Sequence, residues 1–186
     1  MSALMPLFDY DPSLQEYAVS RGNFLSQHGD IHMICTGAVV FNNASKLLLV
    51  QRAKEELAFA NAWEIPGGAM DDTDKTILHA AARELKEETG LTAVRAVRKV
   101  TQITFTTAGG NRPQRTWLKL IFQFEVDNPD AVVLDPLEHQ RFLWVSEEEV
   151  VNDLVKEGST SLEYISQENK AVKLEAFRLQ QERALG

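Results

Sequence analysis

Residues 63–91, WEIPGGAMDDTDKTILHAAARELKEETGL, constrain the fold of this chain more than any other segment. The segment begins with a short apolar run that ends in a Pro-Gly-Gly turn, and an acidic loop follows. A stretch with helical periodicity comes next and stops at Gly90. Glycine is the expected residue just past a helix, because it adopts the left-handed conformation without steric cost. The segment therefore predicts a turn, a loop and a helix in that order.

The predicted helix has an apolar face and an acidic arc beside it. At about 100° per residue, the apolar face consists of Leu78, Ala81, Ala82, Leu85 and Thr89. The acidic arc consists of Glu84, Glu87 and Glu88, at i+3 and i+4 spacing. Arg83 lies one turn before Glu87 and is placed to hold that carboxylate. Like charges on one arc repel, and hard divalent cations prefer oxygen ligands, so the arc indicates a metal site; a solvated Glu-rich surface is the alternative.

The same segment resembles the Nudix box, whose pattern is G-x5-E-x7-R-E-U-x-E-E-x-G-U, with U an apolar residue. The matching residues are Gly68, Arg83, Glu84, Leu85, Glu87, Glu88, Gly90 and Leu91. Fourteen residues separate Gly68 from Arg83 where the pattern has thirteen, and the isolated glutamate is absent. In the family this glutamate supports the loop-to-helix junction. Here we expect Asp74 to support it as a helix N-cap.

The resemblance implies an α/β fold, an α/β/α sandwich around a mixed β-sheet. It also implies a hydrolase that cleaves the diphosphate linkage of a nucleoside diphosphate joined to another moiety. The cofactor would be Mg²⁺, for which Mn²⁺ can substitute, held by Glu84, Glu87, Glu88 and the backbone carbonyl of Gly68. Arg83 would orient a glutamate.

The catalytic base is left open between Glu84 and Glu138, which lies in a loop that often supplies an acid near the metals in the family. Two other functions also stay open. One is hydrolysis of a non-nucleotide diphosphate, such as a prenyl diphosphate. The other is a non-catalytic binding module on the same scaffold, which the presence of all three box glutamates disfavours.

Three arginines outside the box are candidate substrate ligands. Arg52 ends a predicted strand, where similar arginines in the family meet substrate phosphate; a solvated rim charge is the alternative. Arg112 and Arg115 lie in a Gly- and Pro-containing segment that we predict to be a loop, and they either contact the diphosphate or form an ordinary hairpin tip. The histidines show no metal-ligand spacing, so we predict that none of them, including His139, is a ligand.

Composition limits the partners. The net charge of −8 disfavours nucleic-acid binding, which needs an excess of Lys and Arg, but it leaves small phosphorylated ligands possible. The expected substrate, a small-molecule diphosphate, is what the resemblance implies. Cys35 is the only cysteine, which favours a reducing compartment and a buried structural thiol. No signal peptide or long apolar run is evident, so we expect a cytoplasmic protein without a membrane partner, either monomer or homodimer.

The remaining periodicity predicts one domain at residues 31–186, ending in a C-terminal helix, with an N-terminal cover segment at residues 1–30. Central strands are expected at 31–42 and 46–52. Two further strands, at 94–105 and 116–126, should be joined by the loop that carries the two arginines.

Overall fold

The computed structural model of the protein describes residues 8–109 and 112–185, with side chains for 8–107 and 113–183. Its strands are β1 (Asp9–Tyr10), β2 (Met33–Val40), β3 (Leu47–Arg52), β4 (Trp63–Glu64), β5 (Ala93–Gly109), β6 (Arg112–Val126), β7 (His139–Val145), β8 (Leu154–Val155) and β9 (Thr160–Ser161). Its helices are α1 (Arg21–Gln27), α2 (Ile77–Thr89), α3 (Glu147–Val151) and α4 (Gln167–Leu185), with a 3₁₀ helix at Pro12–Tyr17. None of the described helices is long and apolar enough to cross a membrane.

Two sheets carry the fold. The first has the strand order β1-β5-β6-β2 and is mixed, since β2 runs parallel and β5 antiparallel to β6. The second has the order β4-β3-β7 and is antiparallel. Alternate residues of β2 and β6 point to opposite faces, so one face packs under α2 and the other packs against the second sheet and α4. This arrangement confirms the predicted α/β/α sandwich around a mixed sheet.

The edge of β2 positions the Pro-Gly-Gly turn. We predicted that both early strands are central; this is right for β3 and wrong for β2, which is the last strand of its sheet. The outer edge of β2 is covered by the turn, because the Thr36 N–H donates to the Gly68 carbonyl and the Ala38 N–H donates to the Pro66 carbonyl, both at 2.8 Å. An edge strand can therefore be apolar on both faces here, since the turn pairs with it.

The β5–β6 hairpin is longer than predicted. The expected loop is mostly strand, because Thr106 pairs with Thr116 and Thr107 with Arg115. Pro113 is tolerated in β6 because β2 begins opposite Trp117, so the residues before Trp117 have a strand neighbour on one side only.

The described part of the predicted N-terminal cover packs under α2. Its buried side chains are Leu14, Tyr17 and Phe24. The carbonyl of Val19 accepts a hydrogen bond from the Ile77 N–H at 3.1 Å, which satisfies a first-turn donor of α2. The division of the chain at residue 30 stays a prediction.

Helix α4 buries a lysine whose replacement should change the pH dependence of stability. Lys173 is fully buried, donates to the Asn169 carbonyl at 3.0 Å, and lies 4.8 Å above the Tyr164 ring. Burial, together with the charge of Lys119, lowers the pKa of Lys173 to about 7. Between that pH and 10.5 the unfolded chain binds more protons than the folded one, so this lysine makes the folded protein less stable as the pH falls.

We expect Lys173→Met to stabilise the protein more at pH 7 than at pH 10, because methionine fills a similar volume without a charge. Urea unfolding at both pH values measures the difference. Lys54→Met is the matched control, since Lys54 is largely exposed, and it should not stabilise the protein. An equal effect of Lys173→Met at both pH values would contradict the prediction.

Candidate active site

Helix α2 is fixed at both ends. Gly90 adopts the left-handed conformation and donates to the Lys86 carbonyl, as the sequence predicts. At the other end the N-cap is Thr76, whose hydroxyl accepts from the His79 N–H, so the expectation that Asp74 caps this helix is wrong. Two oxygens of Asp74 instead accept from Arg83 at 2.9 Å each. Asp74 therefore supports the loop-to-helix junction through an ion pair with the helix rather than through its N-cap.

The two glycines of the turn contact two carboxylates of α2. The Gly67 N–H donates to Glu88 at 2.8 Å, and Glu88 is only 5% exposed. A Cβ atom at Gly68 would lie 2.7 Å from the carboxylate carbon of Glu84, so that carboxylate rests directly on the turn. The Pro-Gly-Gly turn thus links the edge of β2 to the acidic arc of α2.

The local electrostatics disfavour a second negative charge at this turn. Burial, together with the charges of Glu64, Glu84 and Glu138, raises the pKa of Glu88 to about 9, against the hydrogen bond from Gly67. Burial also raises the pKa of Glu84, opposed by the neighbouring Arg83. Such a cluster favours either a proton or a cation, and oxygen ligands suit a hard divalent cation.

Glu138 comes to this cluster from the turn just before β7 of the second sheet. Ligand atoms of Glu88, Glu138 and His139 lie within 4.8 Å of one another. The Glu138 carbonyl accepts from the Ala53 N–H at 2.8 Å, which fixes the start of β7 against the end of β3. His139 is buried, and its place in this group is a contact that only the folded chain creates. That it is not a metal ligand stays a prediction.

Glu64 is a member of the cluster that sequence reasoning missed. It is 5% exposed and accepts from Arg52 Nη1 at 2.8 Å, while His139 Nε2 lies 3.4 Å from the same oxygen. Burial alone would raise the pKa of Glu64, but His139, Lys119 and Arg52 together outweigh it and hold that pKa below its usual value. The only signal in the sequence is its place directly before the apolar residue of the turn.

Arg52 is turned toward acids of this chain. Besides Glu64, it donates to Glu56 at 2.8 Å and to the Ala58 carbonyl at 3.0 Å. A guanidinium has five N–H donors, so three of its bonds are internal and two remain for a ligand. Its contact with substrate phosphate stays a prediction.

The remaining predicted site residues lie around this cluster. Arg83 Nη1 is 2.7 Å from Glu87 and 2.9 Å from Glu84, and the side chain of Glu87 is 58% exposed. Arg115 is exposed near the start of β2, where its Nη1 lies 3.8 Å from the sulfur of Met33. The side chain of Arg112 lies outside the described residues.

Comparison with known proteins agrees with this geometry. The family model of the NUDIX domain matches residues 31–165. A curated relative, the RNA pyrophosphohydrolase of Bartonella tribocorum, is 36% identical over 69 residues, which cover 35% of this chain and 39% of that protein. The chain therefore spans about two fifths of the length of the relative it matches.

Solved structures share the fold. The MutT protein of Methanosarcina mazei Go1 superposes with a TM-score of 0.60 at 24% identity, covering 82% of this chain and 96% of that one. A Caenorhabditis elegans Ap4A hydrolase superposes with a TM-score of 0.55 at 20% identity, covering 81% of this chain and 99% of that one. At these identities the superpositions speak for the architecture alone.

Proposed function

This chain belongs to the NUDIX family, and on that premise we propose that it is a Mg²⁺-dependent pyrophosphohydrolase of nucleoside diphosphates linked to another moiety. NUDIX hydrolases act on small-molecule diphosphates with the help of a divalent metal. One observation carries the proposal: Glu88 is buried beside Glu84 and Glu138 on a turn that fixes its carboxylate. A buried carboxylate among other acids destabilises the fold unless a proton or a cation neutralises it. Its oxygens are the ligands that a hard divalent cation prefers.

The residues present fit a metal ion of this kind. Glu84, Glu87 and Glu88 would supply the carboxylates, of which Glu87 is the exposed one, and Glu138 lies beside Glu88. The carbonyl of Gly68 accepts from Thr36 but has a second lone pair free. When bound, the ion would screen the diphosphate charge and lower the pKa of a bound water.

The chain's own residues supply the remaining chemistry. The attacking water must lose a proton as its oxygen bonds to phosphorus, and Glu84 or Glu138 would accept that proton. The bridging P–O bond of the diphosphate breaks in the same step, and its electron pair leaves with the departing phosphate group. Arg83, by bonding to both Glu84 and Asp74, would keep Glu84 against the turn. The Gly67 N–H would keep Glu88 in one orientation.

Two substitutions separate the candidate bases. We expect Glu84→Gln and Glu138→Gln each to keep the fold, because glutamine has the same shape. The variant at the residue that accepts the proton should have a kcat lower by roughly a hundredfold or more at saturating Mg²⁺. The other variant should mainly need a different Mg²⁺ concentration for half of its maximal activity. If both variants lose the same factor in kcat at every Mg²⁺ concentration, the two acids act as one unit.

The finer points of substrate and partner are also part of the proposal. Arg52, Arg112 and Arg115 are proposed to contact substrate phosphate. The charge of −8 supports a small molecule rather than a nucleic acid, and the single cysteine supports a cytoplasmic location. The oligomeric state proposed is monomer or homodimer.

A substrate panel tests the proposed function. We would measure phosphate release, with an auxiliary phosphatase, from nucleotide sugars, ADP-ribose, dinucleoside polyphosphates, nucleoside triphosphates, prenyl diphosphates and RNA with a 5′-triphosphate. Each would be measured with Mg²⁺ and with EDTA. Metal-dependent turnover of nucleoside diphosphate derivatives is the expected result. Turnover of prenyl diphosphates or of the RNA alone would replace the proposed substrate class, and Mg²⁺ binding without turnover would indicate a binding module.

A further inference from the structure

The β5–β6 hairpin carries an aromatic pair, of which one ring is exposed and the other half-buried. Phe105 pairs with Trp117 across the hairpin, and their rings are nearly parallel, with centroids 6.0 Å apart and an angle of 8°. Phe105 is 41% exposed, whereas the other face of β6 buries Phe122 and Phe124 completely or nearly so. Trp117 Nε1 donates to the Thr107 hydroxyl at 3.3 Å, which fixes the orientation of the indole ring.

This pair lies on the sheet face that leads to the carboxylates. Side chains two residues apart on a strand share a face and are about 7 Å apart, so Trp117 and Lys119 are neighbours on one surface. Lys119 is opposite Cys35 in the ladder, and its Cε lies 3.3 Å from the place a Cβ of Gly37 would occupy. Lys119 therefore extends along β2 toward the Pro-Gly-Gly turn.

The turn touches β2 at that point. A Cβ at Gly67 would lie 2.7 Å from the Cα of Gly37, so Gly67 and Lys119 both pack against Gly37. The charge of Lys119 also reaches the acid cluster, since it helps to lower the pKa of Glu64. Within the described part of the chain Lys119 forms no ion pair, which leaves its ammonium group able to meet a ligand.

We propose that Phe105 and Trp117 form a stacking subsite for the nucleobase of the substrate, and that Lys119 contacts the phosphates between this subsite and the carboxylates. The inference rests on the proposed function, because it assumes that the diphosphate lies at Glu84, Glu88 and Glu138. The exposed side of an aromatic pair attracts any planar base, and a flanking ammonium group suits the negative charge that follows the ribose. A prenyl chain or a bare diphosphate offers nothing to stack.

A cross-strand aromatic pair can also serve the hairpin alone, since such pairs stabilise antiparallel strands. The two roles differ in what a substitution changes. If the pair is purely structural, a substitution would change the stability of the protein and the affinity for every ligand alike. If the pair is a base subsite, a substitution would change the affinity only for ligands that carry a base.

Two non-hydrolysable ligands separate these roles. The first is α,β-methylene-ADP, which carries a base, and the second is methylenediphosphonate, which does not. Calorimetry with Mg²⁺ would measure the Kd of both for the wild type, Phe105→Leu and Trp117→Leu. We expect Trp117→Leu to raise the Kd of α,β-methylene-ADP about ten- to hundredfold and to leave the Kd of methylenediphosphonate unchanged. Phe142→Leu is the matched control, because Phe142 is an exposed aromatic residue on β7, and it should change neither Kd.

The phosphate contact has its own variant. Lys119→Met should raise the Kd of both ligands by a similar factor. Lys119→Arg should keep most of the wild-type affinity, because it keeps the positive charge. If the wild type binds methylenediphosphonate but Trp117→Leu leaves the Kd of α,β-methylene-ADP unchanged, the subsite is refuted while the proposed function stands. If the wild type binds neither ligand with Mg²⁺, the proposed function itself fails, and the subsite fails with it.

Discussion

Glu88→Gln is expected to lower turnover by several orders of magnitude and, at the same time, to stabilise the metal-free protein at pH 8. Both effects come from the same buried carboxylate. Glutamine keeps the shape of the side chain and can still accept the hydrogen bond from the Gly67 N–H, so the turn should stay in place. It removes one charge from the proposed metal site, and a hard cation binds a neutral amide oxygen less strongly than a carboxylate.

The stability effect follows from the sign of the pKa shift. The pKa of Glu88 is raised from 4.5 to about 9 in the folded protein, so the folded state holds a proton that the unfolded chain releases. The stabilisation present below pH 4.5 is therefore lost as the pH rises toward 9, by up to about 1.4 kcal/mol per pH unit. Glu88→Gln removes this loss, so the variant should be more stable than the wild type at pH 8 in EDTA and similar to it at pH 4.5.

Urea unfolding in EDTA at several pH values, together with kcat at saturating Mg²⁺, measures both effects. Glu148→Gln is the control, because Glu148 is exposed on α3 and pairs with Lys156 at 2.8 Å. Near-normal turnover of Glu88→Gln would show that Glu88 is not a metal ligand. A pH profile parallel to that of the wild type would show that the buried carboxylate is ionised in the metal-free protein.

Local patterns in the sequence predict the centre of this site well. The bounds and caps of a helix depend on neighbouring residues, so the local sequence predicts helix α2 and its end at Gly90. The capping box of α3 is local in the same way, since Ser146 accepts from the Glu149 N–H and the Glu149 side chain accepts from the Ser146 N–H, three residues apart. The overall architecture followed from the family resemblance rather than from periodicity.

Contacts between distant segments could not be predicted in this way. Glu64 and His139 are 75 residues apart in the chain, and only the β4-β3-β7 sheet brings them together. Asp74 has the right residue type for an N-cap, yet its partner proves to be Arg83, nine residues away.

Gly67→Ala is expected to cause the largest loss of stability among single substitutions at the turn. Gly67 has a φ of 151°, which side-chain-bearing residues rarely adopt. An added Cβ would lie 2.7 Å from the Cα of Gly37 and closer still to the Thr36 carbonyl oxygen. Both obstacles are backbone atoms, so the clash cannot be relieved by rotating a side chain. The turn would have to move off the edge of β2.

That movement would break the hydrogen bonds that cover β2 and would release Glu88 from its backbone donor. We expect a loss of at least about 3 kcal/mol, or roughly 10 °C in Tm, measured by calorimetry. Gly22→Ala is the matched control, because Gly22 lies in α1 with nothing within 4 Å of the added Cβ, and it should be neutral or slightly stabilising.

Gly68→Ala then separates stability from catalysis at the same turn. Its added Cβ would meet the carboxylate of Glu84, which is the far end of a flexible side chain and can move. This variant should therefore keep most of its stability while losing activity, because the displaced carboxylate no longer rests on the turn. If Gly68→Ala instead loses as much stability as Gly67→Ala, the turn acts as one rigid unit and Glu84 is part of its packing. If Gly68→Ala loses neither stability nor activity, the position of Glu84 against the turn has no part in the reaction.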